Sequence, residues 1–197
     1  MMIMLLKKCA IIAKIKGEGD EMEELKLVPV SKNFQNEILA YQAEFMKQRE
    51  KAYGSNSLMN FDQIEDWFLF IDKNSKAQTC PEGRVPSDQY MCLRLDDQRI
   101  VGMINLRHEL TKDLLKVGGH IGYSVRPSER QKGYAKWMLM SALAKMKEKS
   151  INKVLITCDV DNEASRRTIL ACGGQLENRV YDSLDQVEVE RYWIKVL

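Results

Sequence analysis

Cysteine is scarce and wrongly spaced for a framework: the chain has five, Cys9, Cys80, Cys92, Cys158 and Cys172, and no C-x-x-C pair. An odd count at wide spacings excludes a disulfide scaffold and supplies no zinc ligand set, so no metal is expected. Cys92 and Cys158 fall inside apolar, strand-like runs and read as reduced core thiols, in keeping with a cytoplasmic protein. An excess of one charge is missing too, since 30 basic residues face 28 acidic ones for a formal net charge of +2. No bulk field draws such a chain to nucleic acid or to an anionic membrane. Long apolar runs are also absent. The richest stretch, Met1 to Lys16, is interrupted by Lys7 and Lys8, which suits neither a spanning helix nor a signal peptide. Neither G-x-x-x-x-G-K-[ST] nor G-x-G-x-x-G occurs, which argues against nucleoside triphosphates and nicotinamide cofactors.

What is present is the composition of one ordinary globular domain: 197 residues, 45% apolar and 29% charged. Residues 1–21 read as an N-terminal appendage, an extra strand or helix, and residues 22–197 as the domain. Leu25 to Val30 alternates as a short strand, and Ser31 stands where a helix cap would stand ahead of Phe34, Ile38, Tyr41 and Phe45. A second helix is expected at about Phe61 to Ile71, followed by a surface connection from Lys73 to Asp88. Tyr90–Leu95 and Ile100–Leu106 flank the turn Asp96-Asp97-Gln98-Arg99 and form a hairpin. Gly118–Val125 predicts a strand, Gln131–Lys149 an amphipathic helix, and Val154–Val160 a central strand. Asn162–Cys172 predicts a helix stopped at Gly173-Gly174, and two strands close the chain. The order is β-α-α-β-β-β-α-β-α-β-β, an α/β fold with a mixed sheet and helices on both faces.

The strand–helix–strand unit from Gly118 to Val160 places a helix start beside the carboxyl end of a strand. A helix start exposes about four unpaired N–H groups and roughly half a positive charge, a ready seat for phosphate. The turn reads Arg126-Pro127-Ser128-Glu129-Arg130-Gln131-Lys132-Gly133-Tyr134-Ala135. Glycine there weakens the helix by about 1 kcal/mol but lets a ligand reach the backbone, while Arg126, Arg130 and Lys132 add positive charge. On these residues alone an anion site and a tight turn with a solvated basic rim stand level.

Arg130-x-x-Gly133-x-Ala135, following a strand that ends Gly122-Tyr123-Ser124-Val125, resembles motif A of the GNAT acetyltransferase superfamily. Asn162-x-x-Ser165, opening the helix that ends at Gly173, resembles its motif B, and the element order is similar from Glu23 to Leu197. The resemblance implies a GNAT-like acyl-CoA N-acyltransferase fold with acetyl-CoA as co-substrate. It implies that the backbone from Gln131 to Ala135 holds the pyrophosphate and that Tyr123, Ser124 and Val125 pair with pantetheine where two parallel strands splay. It also implies that Asn162 and Ser165 touch the pantetheine arm, although Asn162 also reads as a plain helix cap.

Acetyl transfer to an amine needs a base and a proton donor for the leaving thiolate. Many members carry a donor tyrosine four residues after the motif B serine, where this chain has Ile169. Tyr134 lies in the turn and reads as a packing or CoA-flanking residue. For the base, His120 and Glu109 rank first, ahead of His108 and Asp159. The leading expectation is an N-acetyltransferase acting on a primary amine of a small molecule or peptide. The rival is a CoA-binding sensor without turnover, and a third reading makes residues 1–21 a dimerisation arm. Tyr53 to Tyr90, with Trp67, Phe68, Asp62, Glu65 and Asp66, is expected to cover the acceptor side.

Overall fold

In chain order the elements are β1 (Ile3–Lys7), β2 (Ala10–Lys16), β3 (Met22–Pro29), α1 (Gln35–Gln48), α2 (Ile64–Asn74), β4 (Ser87–Arg94), β5 (Arg99–Arg107), β6 (Ile121–Val125), α3 (Tyr134–Glu148), β7 (Lys153–Asp159), α4 (Glu163–Ala171), β8 (Gln175–Asp182) and β9 (Val187–Lys195). They come from a computed structural model that describes the backbone of residues 3–7, 10–16 and 22–196 and the side chains of residues 23–196. From β3 onward the order is the one the sequence predicts. Ahead of it, β1 and β2 pair antiparallel with one another, and β2 pairs with β3. The boundary expected between residues 21 and 22 adjoins residues 17–21, which lie outside the described residues.

Where the sequence predicts one mixed sheet, the ladders divide into two antiparallel sheets. One runs β1-β2-β3-β4-β5-β6 and the other β7-β9-β8. They meet at β6 and β7, which share no ladder. The His120 N–H donates to the Leu155 carbonyl at 2.7 Å, and the Leu155 N–H donates to His120 Nδ1 at 3.0 Å. Beyond that junction the strands part, and their carboxyl ends line a common cleft.

Side-chain alternation along β6 settles which face meets which helix. Ile121, Tyr123 and Val125 pack with Trp137, Met138 and Ile169 of α3 and α4. Ser124 points the other way, where its Oγ lies 2.9 Å from the Tyr41 hydroxyl of α1. Tyr41, Phe45, Trp67 and Phe68 cover this second face.

Two boundaries differ from expectation for local backbone reasons. The helix expected from Gln131 begins at Tyr134, because Gln131 (φ 66°) and Gly133 (φ 85°) both adopt left-handed conformations. The strand expected from Gly118 begins at Ile121, because Leu114–Gly118 forms a wide helical turn first. Among the described residues no helix is long and apolar enough to cross a membrane.

Candidate active site

The cleft between β6 and β7 has a volume of about 830 Å³, within the range of small-molecule sites. It is built by the end of α1 with the α1–α2 loop, the end of β5 with the approach to β6, β6 with the turn into α3, the end of β7 with the start of α4, and the β8–β9 turn with the strand ends beside it. Of the cofactor-site residues expected from the sequence, Tyr123, Ser124, Val125, Arg130, Gln131, Gly133, Tyr134, Ala135, Asn162 and Ser165 line it.

Arg126 and Lys132 do not. Arg126 is buried, donating to Glu37 at 2.9 Å and Glu44 at 2.6 Å, so its charge fastens the turn to α1. Lys132 lies 3.3 Å from Glu129. Glu129 is buried, which by itself would raise its pKa, but hydrogen bonds from Arg94 and Lys132 hold its carboxyl below the usual range. Tyr134 turns its ring into the core and its hydroxyl to Glu23 and Arg94, leaving its backbone at the cleft.

The start of α3 has the features an anion seat requires. No side chain caps it, so its first-turn N–H groups have no partner supplied by capping. A Cβ built on Gly133 meets nothing within 4 Å, so open space faces the turn. Arg130 stands at the rim, paired with Glu50 through both carboxylate oxygens. At the other helix start, Asn162 Oδ1 accepts from the Ser165 N–H at 3.0 Å, and the cap reading of Asn162 is the one the geometry displays. Arg166 then ties α4 to the buried Glu190 of β9 at 2.7 Å.

Neither base ranked first from the sequence lines the cleft, whereas Asp159, ranked behind them, does. Glu109 is exposed on the loop after β5. His120 is buried, and its Nδ1 lone pair is occupied by the Leu155 N–H. The neutral ring therefore carries its proton on Nε2. Burial first, and the charge of Arg107 second, hold its pKa below the ordinary 6.5. A lowered pKa means that the unfolded chain takes up the proton at higher pH than the folded one. The stability His120 confers is then complete above about pH 6.5 and is lost as pH falls through the depressed folded value. Thermal melts from about pH 7.5 to pH 5 should show Tm falling in that window. In His120→Gln, whose amide oxygen can still accept from Leu155, the fall should shrink.

Several cleft residues were not singled out as site residues from the sequence: Glu50, Tyr53, Gly54, Arg107, Asp182 and Asp185. Of the expected acceptor region only Tyr53 and Gly54 reach the cleft; Trp67 and Phe68 are core residues beneath the loop. The Tyr53 hydroxyl donates to Asp159 at 3.3 Å. The Tyr123 hydroxyl lies 2.9 Å from Ser165 Oγ.

Residues 48–173 match the acetyltransferase (GNAT) family. The chain belongs to that family. It is an N-acetyltransferase that uses acetyl-CoA as co-substrate and an amine as acceptor. Solved structures with the same fold include a ribosomal L7/L12 alpha-N-protein acetyltransferase in complex with coenzyme A, 14% identical, covering 87% of this chain and 94% of that one, with TM-score 0.63. The microcin C7 self-immunity acetyltransferase in complex with acetyl-CoA and AMP is 18% identical, with coverage of 87% and 92% and TM-score 0.63. A ribosomal-protein-S5-alanine acetyltransferase from Vibrio fischeri is 13% identical, with coverage of 93% and 96% and TM-score 0.60. At these identities the likeness is one of fold. No curated protein matches the chain.

Proposed function

We propose that this acetyltransferase transfers the acetyl group to a primary amine of a small molecule or peptide, with the cleft between β6 and β7 as its active site. The observation that carries the reading is the uncapped α3 start opening on that cleft, with Gly133 unobstructed. In this reading the backbone from Gln131 to Ala135 and the Arg130 guanidinium hold the pyrophosphate. The free edge of Tyr123, Ser124 and Val125 pairs with the pantetheine amides, and Asn162 and Ser165 flank the arm at the start of α4. Acetyl-CoA supplies an activated acyl group as a thioester.

The chain's own groups then move two protons. The amine nitrogen attacks the thioester carbonyl carbon, the C–S bond breaks, and the departing sulfur takes a proton. Tyr123 is the donor in this proposal. It comes from β6 rather than from α4, and its hydroxyl sits against Ser165 in the first turn of the motif B helix. Ile169, where the resemblance places a tyrosine, is a fully buried core residue. Burial raises the Tyr123 phenol well above its ordinary pKa, outweighing the hydrogen bond with Ser165, so it holds its proton at neutral pH. The proton shed by the amine passes to Asp159, the carboxylate to which Tyr53 donates.

Free thiol released from acetyl-CoA only when an amine panel is present would support catalysis. Binding of acetyl-CoA with no release on any amine would favour the sensor reading. Tyr123→Phe should lower kcat about a hundredfold, a typical general-acid contribution, with acetyl-CoA affinity unchanged. Unaltered kcat would remove Tyr123 from the role.

A further inference from the structure

The cleft contains two guanidinium groups, and they are partnered differently. Arg130 is neutralised by Glu50. Arg107, the last residue of β5, donates from Nη1 to the carbonyls of Gly118 and Gly119, each at 2.9 Å. Among the described residues no carboxylate pairs with it. Burial, reinforced by the charge of Arg84, pushes its pKa down to about 10, as expected for a cation withdrawn from water without a counter-ion.

Its position bears on the acceptor. Arg107 Nη2 lies 3.9 Å from where a Cβ on Gly122 would stand, so the guanidinium edge not bonded to carbonyls faces the middle of β6. Gly122 adjoins Tyr123, the proposed donor of the leaving-group proton, but the two face opposite sides of β6, so acceptor and donor approach the cleft from its two faces. Besides Glu50, which Arg130 neutralises, the carboxylates of the cleft are Asp159 at the end of β7, Asp182 at the end of β8 and Asp185 in the β8–β9 turn. Lys51 neutralises Asp185 at 2.7 Å. A ligand entering here therefore meets one buried cation that lacks an anion and, from other elements, carboxylates that favour an ammonium group.

We infer that the acceptor is an amino acid whose own α-carboxylate is bound by Arg107, which leaves its amine beside Gly122 on the face of β6 opposite the Tyr123 ring. This rests on the acetyltransferase reading of the same cleft. The fork of a guanidinium matches a carboxylate with two parallel hydrogen bonds. In an amino acid only two bonds separate the carboxylate carbon from the amine nitrogen, so anchoring the first positions the second. The N-terminus of a protein offers no such anion, because its α-carboxyl is tied up in the next peptide bond.

The test compares thiol release from acetyl-CoA by the full chain with amino acids and with their α-amides and decarboxylated amines. The expected result is kcat/KM about tenfold or more higher for the free acids, the scale of a charge-assisted hydrogen bond. Arg107→Gln should abolish that preference through KM while leaving acetyl-CoA affinity by calorimetry unchanged, and Arg107→Lys should restore part of it. Equal or better use of the amides overturns the inference, as does silence of all the free acids or a preference that survives in Arg107→Gln. If the Gln variant does not fold, the wild-type ratio of acid to amide decides alone. Absence of acetyl-CoA binding by the wild-type chain would instead overturn the reading beneath it.

Discussion

Acetyl-CoA affinity is expected to fall a hundredfold or more in Gly133→Glu, while the fold persists. Two effects act together at this position. The carboxylate would project into the open space in front of the uncapped α3 start, the seat proposed for the pyrophosphate. A like charge about 4 Å away costs about 4 kcal/mol at an effective dielectric of 20, more than enough for a hundredfold loss. The side chain must also adopt φ 85°, which costs about 1–2 kcal/mol for a residue other than glycine. That penalty lowers Tm by only a few degrees in a chain of this size. Gly133→Ala separates the two effects, since it carries the backbone cost without the charge and should lose affinity much less. Calorimetry on the three proteins, with melts alongside, gives the answer. Affinity retained in Gly133→Glu would move the pyrophosphate away from this turn.

The second large effect concerns stability. In Gly54→Ala the new Cβ would fall 2.5 Å from Tyr123 Cα and closer still to the Gly122 carbonyl, with φ at 72°. The obstacles are backbone atoms of a sheet strand and cannot swing aside. The α1–α2 loop would have to lift off β6. That would break the 2.8 Å bond from Gln89 to the Gly54 carbonyl and strain the nearby bond from Trp67 to Ser55. Overpacking of about 1–3 kcal/mol, added to the left-handed cost of about 1–2, predicts a loss of roughly 2–5 kcal/mol. Tm should drop by about 4–20 °C. The reciprocal change is milder. A Cβ on Gly122 would lie 3.2 Å from Gly54 N and 3.3 Å from Gly54 Cα, a squeeze that shifts of a few tenths of an ångström relieve. Urea unfolding of both variants measures the asymmetry, and equal losses would contradict the packing described.

The same contrast explains what the sequence makes legible. Gly133, Arg130, Asn162 and Ser165 stand in two short turns, and the resemblance of those turns to two family motifs, rather than spacing alone, assigns them to one site; all four line the cleft. The element order was likewise readable from β3 onward, because each hydrophobic run is bounded by its own turn residues. Spacing cannot register a contact made across the fold. Gly54 meets Gly122 from far along the chain, and nothing in Gly54-Ser55-Asn56-Ser57 distinguishes a loop pressed on a strand from one in solvent. Arg107 ends an apolar strand as a surface arginine would; only the folded cleft reveals that no carboxylate among the described residues answers it. His120 and Glu109 suit a base by residue type and by their place near the cleft strands, and neither property shows that Leu155 already occupies the His120 lone pair or that Glu109 faces solvent. The division into two sheets was hidden for a similar reason, since a missing ladder leaves no mark on hydrophobic periodicity.

That division also sets an order of assembly. Every ladder of the six-stranded sheet joins strands adjacent in chain order, and β1 to β6 are complete by Val125. The three-stranded sheet lies wholly between Lys153 and Lys195, with its β7–β9 ladder closing across α4 and β8. A chain emerging from the ribosome can thus finish its first sheet before the second exists. The cleft is the seam between an early half and a late half. A cofactor bound there grips both, so its binding energy also adds to the free energy that holds them together.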